Sequence, residues 1–168
     1  HTFSMKTTSC LVNPRACHET MLSYDPTTAP KSVAVIGAGP AGMAYATVAA
    51  ERGHKVTLFD AAEEIGGQFN LAKRVPGKEE FHETIRYYNT TLTKLDVDLR
   101  LGVRVSAQDL ENQGFDHVVV ATGITPRTPQ IKGIDHPMVV GYIDAIMGRK
   151  PIGKKVAVLG AGGIGFDV

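Results

Sequence analysis

Hydrophobic residues in this chain are arranged as short unbroken runs, helical stripes and one alternating stretch. Lys31-Ser32 leads into Val33-Ala34-Val35-Ile36, an apolar run rich in β-branched residues that predicts a buried strand of a parallel sheet. Lys55-Val56-Thr57-Leu58-Phe59-Asp60 predicts a second strand. His117-Val118-Val119-Val120-Ala121-Thr122-Gly123 predicts another buried strand closing in a turn, and Lys155-Val156-Ala157-Val158-Leu159 predicts one more. Between the first two runs, Ala41 to Arg52 is Ala-rich and free of breakers, so it predicts a helix with Gly53 as the cap after it. From Lys78 to Leu95, Phe81, Ile85, Tyr88, Leu92 and Leu95 recur at three- and four-residue spacing, which puts one apolar stripe on a helix. Val97, Leu99, Leu101 and Val103 alternate with Asp98, Arg100, Gly102 and Arg104, the period of a half-exposed strand. Gly141 to Arg149 reads as a short helix. Residues 1–30, with Pro14, Pro26 and Pro30, and the Pro-containing connection Thr125–Pro137 read as irregular.

Strand, glycine turn, helix and strand at 33–60 make a βαβ unit. The same order begins again at residue 155, an internal repeat about 120 residues apart that suits two sequential nucleotide-binding domains. The expected fold class is α/β, with a parallel sheet and helices. The expected organisation is an irregular segment at 1–30, a Rossmann-like domain at 31–150, and the start of a second dinucleotide-binding domain at 151–168. The chain opens on His1 and closes on a glycine turn that should be opening a helix, so it reads as an internal segment of a longer protein, truncated at both ends.

Charge narrows the function classes. Eighteen Lys+Arg against seventeen Asp+Glu leave a net charge of +1, which argues against nucleic acid or an anionic membrane as a partner held by bulk charge. No apolar run approaches a bilayer span, and the first residues lack the apolar core of a signal peptide. Two cysteines cannot form a disulfide framework, and a cytoplasmic setting is expected.

The high glycine count, 18, matters through its placement. Gly37-Ala38-Gly39-Pro40-Ala41-Gly42 matches G-x-G-x-x-G between a strand and a helix, and Asp60 ends the next strand roughly twenty residues on. Gly37 permits the tight turn, Gly39 lets a pyrophosphate approach the backbone, and Gly42 lets the helix pack close to the strand. The helix N-terminus offers free N–H groups and partial positive charge, and Asp60 can accept hydrogen bonds from a ribose. The bland alternative is a turn that merely joins strand to helix. The fingerprint by itself does not separate FAD from NAD.

Gly160-Ala161-Gly162-Gly163-Ile164-Gly165 repeats the turn after the strand at 155–159. The acidic or basic residue that would choose between NAD and NADP is not in the sequence. Cys10 and Cys17 have no further Cys, and no His at zinc-finger spacing, so by composition both read as ordinary thiols.

Several other motifs carry a resemblance. Pro40-Ala41, Gly66-Gly67-Gln68 and Ala121-Thr122-Gly123, in that order around Asp60, resemble flavoproteins with two dinucleotide-binding domains. More specific are Cys10-Leu11-Val12-Asn13-Pro14-Arg15-Ala16-Cys17-His18-Glu19, Gly66-Gly67-Gln68-Phe69-Asn70, Pro76-Gly77-Lys78-Glu79-Glu80-Phe81 and Gly133-Ile134-Asp135-His136-Pro137. Together they resemble the bacterial NADPH-dependent 2,4-dienoyl-CoA reductases over essentially the whole chain, and trimethylamine dehydrogenase less closely.

The resemblance implies a Rossmann-like FAD-binding domain followed by the first strand and glycine turn of an NADPH-binding domain. FAD would be held by Gly37–Gly42, Asp60, Gly67, Gln68, Ala121, Thr122 and Gly123, and NADPH at Gly160, Gly162 and Gly165. It implies Cys10 as the fourth ligand of a 4Fe–4S cluster, with Cys17 not a ligand. It also implies an FMN-carrying barrel outside this chain that reduces an acyl-CoA substrate in unsaturated fatty acid degradation. Electrons would run from NADPH to FAD, singly through the cluster to FMN, and on to substrate. No catalytic residue is nominated in the chain itself; Tyr24, Tyr45 and the histidines read as packing or surface residues. The competing readings are a glutamate-synthase-like electron-input module and a non-catalytic nucleotide-binding module. Oligomeric state is not legible.

Overall fold

A computed structural model describes residues 2–10 and 12–168. His1, and Leu11 of the run around Cys10, lie outside the described residues. The apolar runs assemble into one parallel sheet of four strands in the order β3-β2-β1-β4: β1 Ser32–Ile36, β2 Lys55–Phe59, β3 Asp98–Arg100 and β4 His117–Val120. Val33 lies beside Val56 on one side and His117 on the other, and Ile36 lies beside Phe59 and Val120. This order has β1 at the centre, with the chain leaving it first to one side and later to the other. That is the switch point at which open α/β sheets bind ligands.

The helices are α1 Pro40–Glu51, α2 Phe69–Ala72, α3 Phe81–Lys94, α4 Ala107–Gln113, α5 Tyr142–Ile146 and α6 Gly163–Asp167. Helix α1 starts at a proline, whose missing N–H would have no helical partner at that position, and stops at Arg52 before Gly53 at φ +91°. Its small residues Gly42, Ala46 and Ala49 are buried, so the helix lies close to the sheet. The core lies between one sheet face and α1 and α3: Val33, Val35, Met43, Ala46, Val56, Leu58, Leu92 and Val97 are buried there. Residues 12–30 carry no regular element. They lean on the end of α1 through the Arg15–Glu51 ion pair and the Arg52 Nε bond to the Asp25 carbonyl.

The structure corrects several expectations. His117–Val120 is a strand but not a buried one: Val118 is 46% and Val120 74% exposed. An apolar run signals burial on both faces only where both faces are covered, and β4 is an edge strand. Lys155–Leu159 forms no strand, and Val156, Val158 and Leu159 are exposed. A parallel strand exists only beside a partner, and among the described residues none pairs with it. The alternating stretch 97–104 keeps strand pairing only at Asp98–Arg100, with Leu99 turned inward and its neighbours outward. The helix expected over 78–95 begins at Phe81. Helices α2 and α4 add to the elements that periodicity predicts. For α4 a sequence signal exists: Ser106 and Asp109 form a reciprocal capping box, and Gly114 ends the helix at φ +66°. Among the described residues no helix is long and apolar enough to cross a membrane.

Candidate functional site

The site is built where the parallel strands end. The chain leaves β1 at Gly37, whose φ of +108° only glycine holds without strain. Its N–H donates to the Phe59 carbonyl at 2.7 Å, which ties the turn to the end of β2. A Cβ on Gly37 would lie 2.3 Å from the Ala121 oxygen, because the end of β4 runs directly against the turn. Ala121 in turn donates from its N–H to the Ile36 carbonyl at 2.8 Å. A Cβ on Gly42 would stand 1.8 Å from the Gly37 oxygen, so glycine there lets α1 close onto the turn.

Gly39 differs from these two. It caps α1 with φ −76° and ψ −177°, a conformation open to any residue. A Cβ there would meet only the Gly67 Cα, at 4.0 Å, an ordinary contact. Nothing in the protein's own packing calls for glycine at this position. It keeps clear the space in front of the first turn of α1, where the N–H groups lack helical partners and the helix dipole is positive. An anionic group can approach there to backbone distance.

The Gly66-Gly67 loop frames this space. Gly66 donates its N–H to the Ala38 carbonyl at 2.8 Å, and a Cβ on Gly67, which has φ +51°, would lie 2.9 Å from the Gly39 Cα. Gln68 follows as the exposed N-cap of α2. Asp60 stands just past β2. One carboxylate oxygen accepts from the Ala38 N–H at 2.6 Å and the other from the Ala62 N–H at 2.8 Å. Each oxygen keeps a second acceptor site, so the carboxylate braces the turn and can still receive a hydroxyl. The structure therefore brings together Gly37–Gly42, Asp60, Gly67, Gln68 and Ala121–Gly123, which are scattered over more than half the chain. No sequence signal marks the bracing of Asp60 by Ala38, although Asp60-Ala61-Ala62 is a local turn of the kind Asp favours.

The second glycine turn copies the first without a sheet behind it. Gly160 has φ +119°, Gly162 caps α6 with φ −86° and ψ −178°, and a Cβ on Gly165 would lie 2.2 Å from the Gly160 oxygen. A Cβ on Gly162 would meet nothing within 4 Å, the same open position as Gly39. This turn shares no hydrogen bond with the first among the described residues. Cys10 lies apart as well. It is exposed, and its Sγ accepts from the Asn13 N–H at 3.4 Å. The backbone N–H groups of Asn13 and Val12 favour the thiolate and pull its pKa below the ordinary thiol value. Among the described residues no three metal-ligating side chains gather. Cys17, at φ +62°, is also exposed.

A parallel sheet with a glycine turn and an acidic strand end at its switch point defines a dinucleotide-binding protein of the Rossmann class. The chain belongs to the pyridine nucleotide-disulphide oxidoreductase family, whose profile matches residues 31–168. It is 36% identical over 171 residues to a metal reductase of Desulforamulus reducens, covering 99% of this chain and 26% of that protein. It is 37% identical to a cinnamate reductase of Clostridium sporogenes, covering 96% of this chain and 24% of that protein. A solved 2-naphthoyl-CoA reductase superimposes with a TM-score of 0.87 at 37% identity, covering 95% of this chain and 24% of that one. The chain thus spans about a quarter of the length of the relatives it matches.

Proposed function

We propose that this chain is the FAD-binding front of the electron-input half of an NAD(P)H-dependent flavoprotein reductase. The observation that carries the reading is the open position at Gly39, set between the Asp60 carboxylate and Gly67 at the head of α1. In this reading the α1 N-terminus and the Gly39 backbone hold the FAD pyrophosphate, and Asp60 receives a ribose hydroxyl on its spare acceptor sites. Gly67, Gln68 and Ala121–Gly123 border the cofactor, and Gly160, Gly162 and Gly165 open the nicotinamide nucleotide site of a second domain. Bound FAD would accept two electrons as hydride and pass them on singly. In this reading the residues named here bind and orient the cofactor.

At finer grain, we place the intact protein with the NADPH-dependent 2,4-dienoyl-CoA reductases. Cys10 then holds one corner of a 4Fe–4S cluster that leads to an FMN barrel. The acceptor would be a conjugated acyl-CoA, in fatty acid degradation in the cytoplasm. The specific runs around Cys10 and Pro76–Phe81 support this reading, as does the similarity to reductases named for cinnamate, a conjugated carboxylate, and 2-naphthoyl-CoA, an aromatic acyl-CoA. The lowered thiol pKa and exposure of Cys10 suit a thiolate ligand.

The test is a titration of FAD into the intact apoprotein and its Asp60→Ala variant. Loss of the ribose bond should weaken FAD by ~1–3 kcal/mol. Equal affinities would remove Asp60 from the site, and a wild type that takes up no flavin would end the reading.

A further inference from the structure

Among the described residues, an ion pair joins α6, the helix after the second glycine turn, to the loop before α3. Lys78 Nζ reaches both carboxylate oxygens of Asp167, at 2.7 and 2.6 Å, across 89 residues of sequence. Both side chains are partly shielded, 41% and 29% exposed. Among the described residues it is the polar contact that ties residues 155–168 to the rest of the chain. Among the described residues, Val158, Leu159, Ile164 and Phe166 are all at least half exposed and add little apolar burial to this contact.

Lys78 is also well placed to transmit position. Its loop is stiff: the Lys78 N–H donates to the Val75 carbonyl, and the Gly77 N–H donates to the Glu79 carboxylate. On either side of the loop, Phe69 of α2 packs against Phe81 of α3, the rings tilted by 41° with 4.5 Å between centroids. Helix α2 starts directly after Gln68, next to Gly67, whose backbone touches Gly39. A short covalent and packed path therefore runs from the first glycine turn to Lys78, and from there through one ion pair to α6.

We propose that the Lys78–Asp167 pair is a positioning latch. It sets the second glycine turn against the flavin-side scaffold, so that the nicotinamide of a dinucleotide held at the second turn can meet the flavin of the FAD held at the first. The proposal rests on the function proposed above. A partly exposed ion pair adds little stability, so the latch acts on geometry, and small misplacements are costly to transfer between bound partners.

The experiment uses the intact flavin-loaded protein in anaerobic stopped-flow reduction by NADPH and NADH, with FAD content and flavin spectrum recorded. Lys78→Met and Asp167→Asn should each slow the limiting rate by about 10-fold or more at unchanged FAD content. The charge-swapped double variant, Lys78→Asp with Asp167→Lys, should recover most of the rate, and high salt should slow the wild type toward the single variants. Single variants at wild-type rate, or losses that add with no recovery in the swap, would overturn the latch. A wild-type flavin that neither nucleotide reduces would end the electron-input reading instead. Amide hydrogen exchange over 160–168 then decides the latch alone: faster exchange in Lys78→Met upholds it, and unchanged exchange overturns it.

Discussion

At the scale of single residues, Gly39 and Gly42 are the same amino acid for opposite reasons. Gly42 is demanded from inside, since a Cβ would sit 1.8 Å from the Gly37 oxygen, whereas Gly39 has ordinary dihedrals and room to spare. The two should therefore fail differently. Gly42→Val should lower the melting temperature sharply or prevent folding. Gly39→Val should melt close to wild type yet lose FAD affinity by about 100-fold, which is ~3 kcal/mol. Differential scanning calorimetry with flavin titration reads both, and a Gly39→Val protein with full FAD affinity would place the pyrophosphate elsewhere. The cysteines divide in the same way. Cys10, with its sulfur accepting a backbone N–H and its pKa lowered, should be needed for iron, and Cys17 should not. In the intact protein, Cys10→Ala should lose iron and sulfide while keeping FAD, and Cys17→Ala should keep all three. The reverse pattern in an iron assay would mean that the run around Cys10 is misaligned with the reductases it resembles.

At the scale of elements, the junction of β1 and β4 is clamped by a single carboxylate. Asp116 accepts from the Ser32 N–H at 2.7 Å and the Ser32 hydroxyl at 2.8 Å, while its own N–H donates to the Ser32 carbonyl. The Ser32 backbone and hydroxyl bonds hold its pKa below the usual carboxylate value. A depressed folded-state pKa gives a contribution that is fully present above the unfolded pKa. It is lost as pH falls through the folded one. The melting-temperature gap between wild type and Asp116→Asn should therefore be open at pH 7 and close as pH falls below about 4. A gap independent of pH would show that the charge contributes nothing to the clamp. The same clamp helps explain why β4 forms although most of it is exposed. Backbone pairing with β1 and a side-chain tie at its start hold it, rather than burial.

At the scale of the whole molecule, two glycine turns of nearly equal local shape stand in unlike surroundings. The first is locked between β2, β4 and the Gly66-Gly67 loop; the second has one ion pair to the rest of the described chain. If each serves its own dinucleotide, the two functions separate by mutation. Gly162→Leu in the intact protein should leave FAD content unchanged and abolish rapid flavin reduction by NADPH, because the side chain fills the open position in front of α6. Reduction at the wild-type rate would remove Gly160–Gly165 from the nicotinamide site.

By itself, the sequence determined the βαβ unit, the position of both glycine turns and the role open to Asp60. Those features are local: an apolar run, a glycine spacing and an acid at a strand end lie within reach of one another along the chain. The family motifs Gly66-Gly67-Gln68 and Ala121-Thr122-Gly123 were legible too, but only as words in order. Tertiary structure decided how they are arranged, because the backbone contacts Gly67–Gly39 and Ala121–Gly37 exist only once distant segments meet where the strands end. It also decided burial. His117–Val120 and Lys155–Leu159 carry the same apolar signal as β1, yet the first is a mostly exposed edge strand and the second pairs with nothing among the described residues. An apolar run records a capacity for burial, and whether a neighbour is present to use it is a property of the folded molecule.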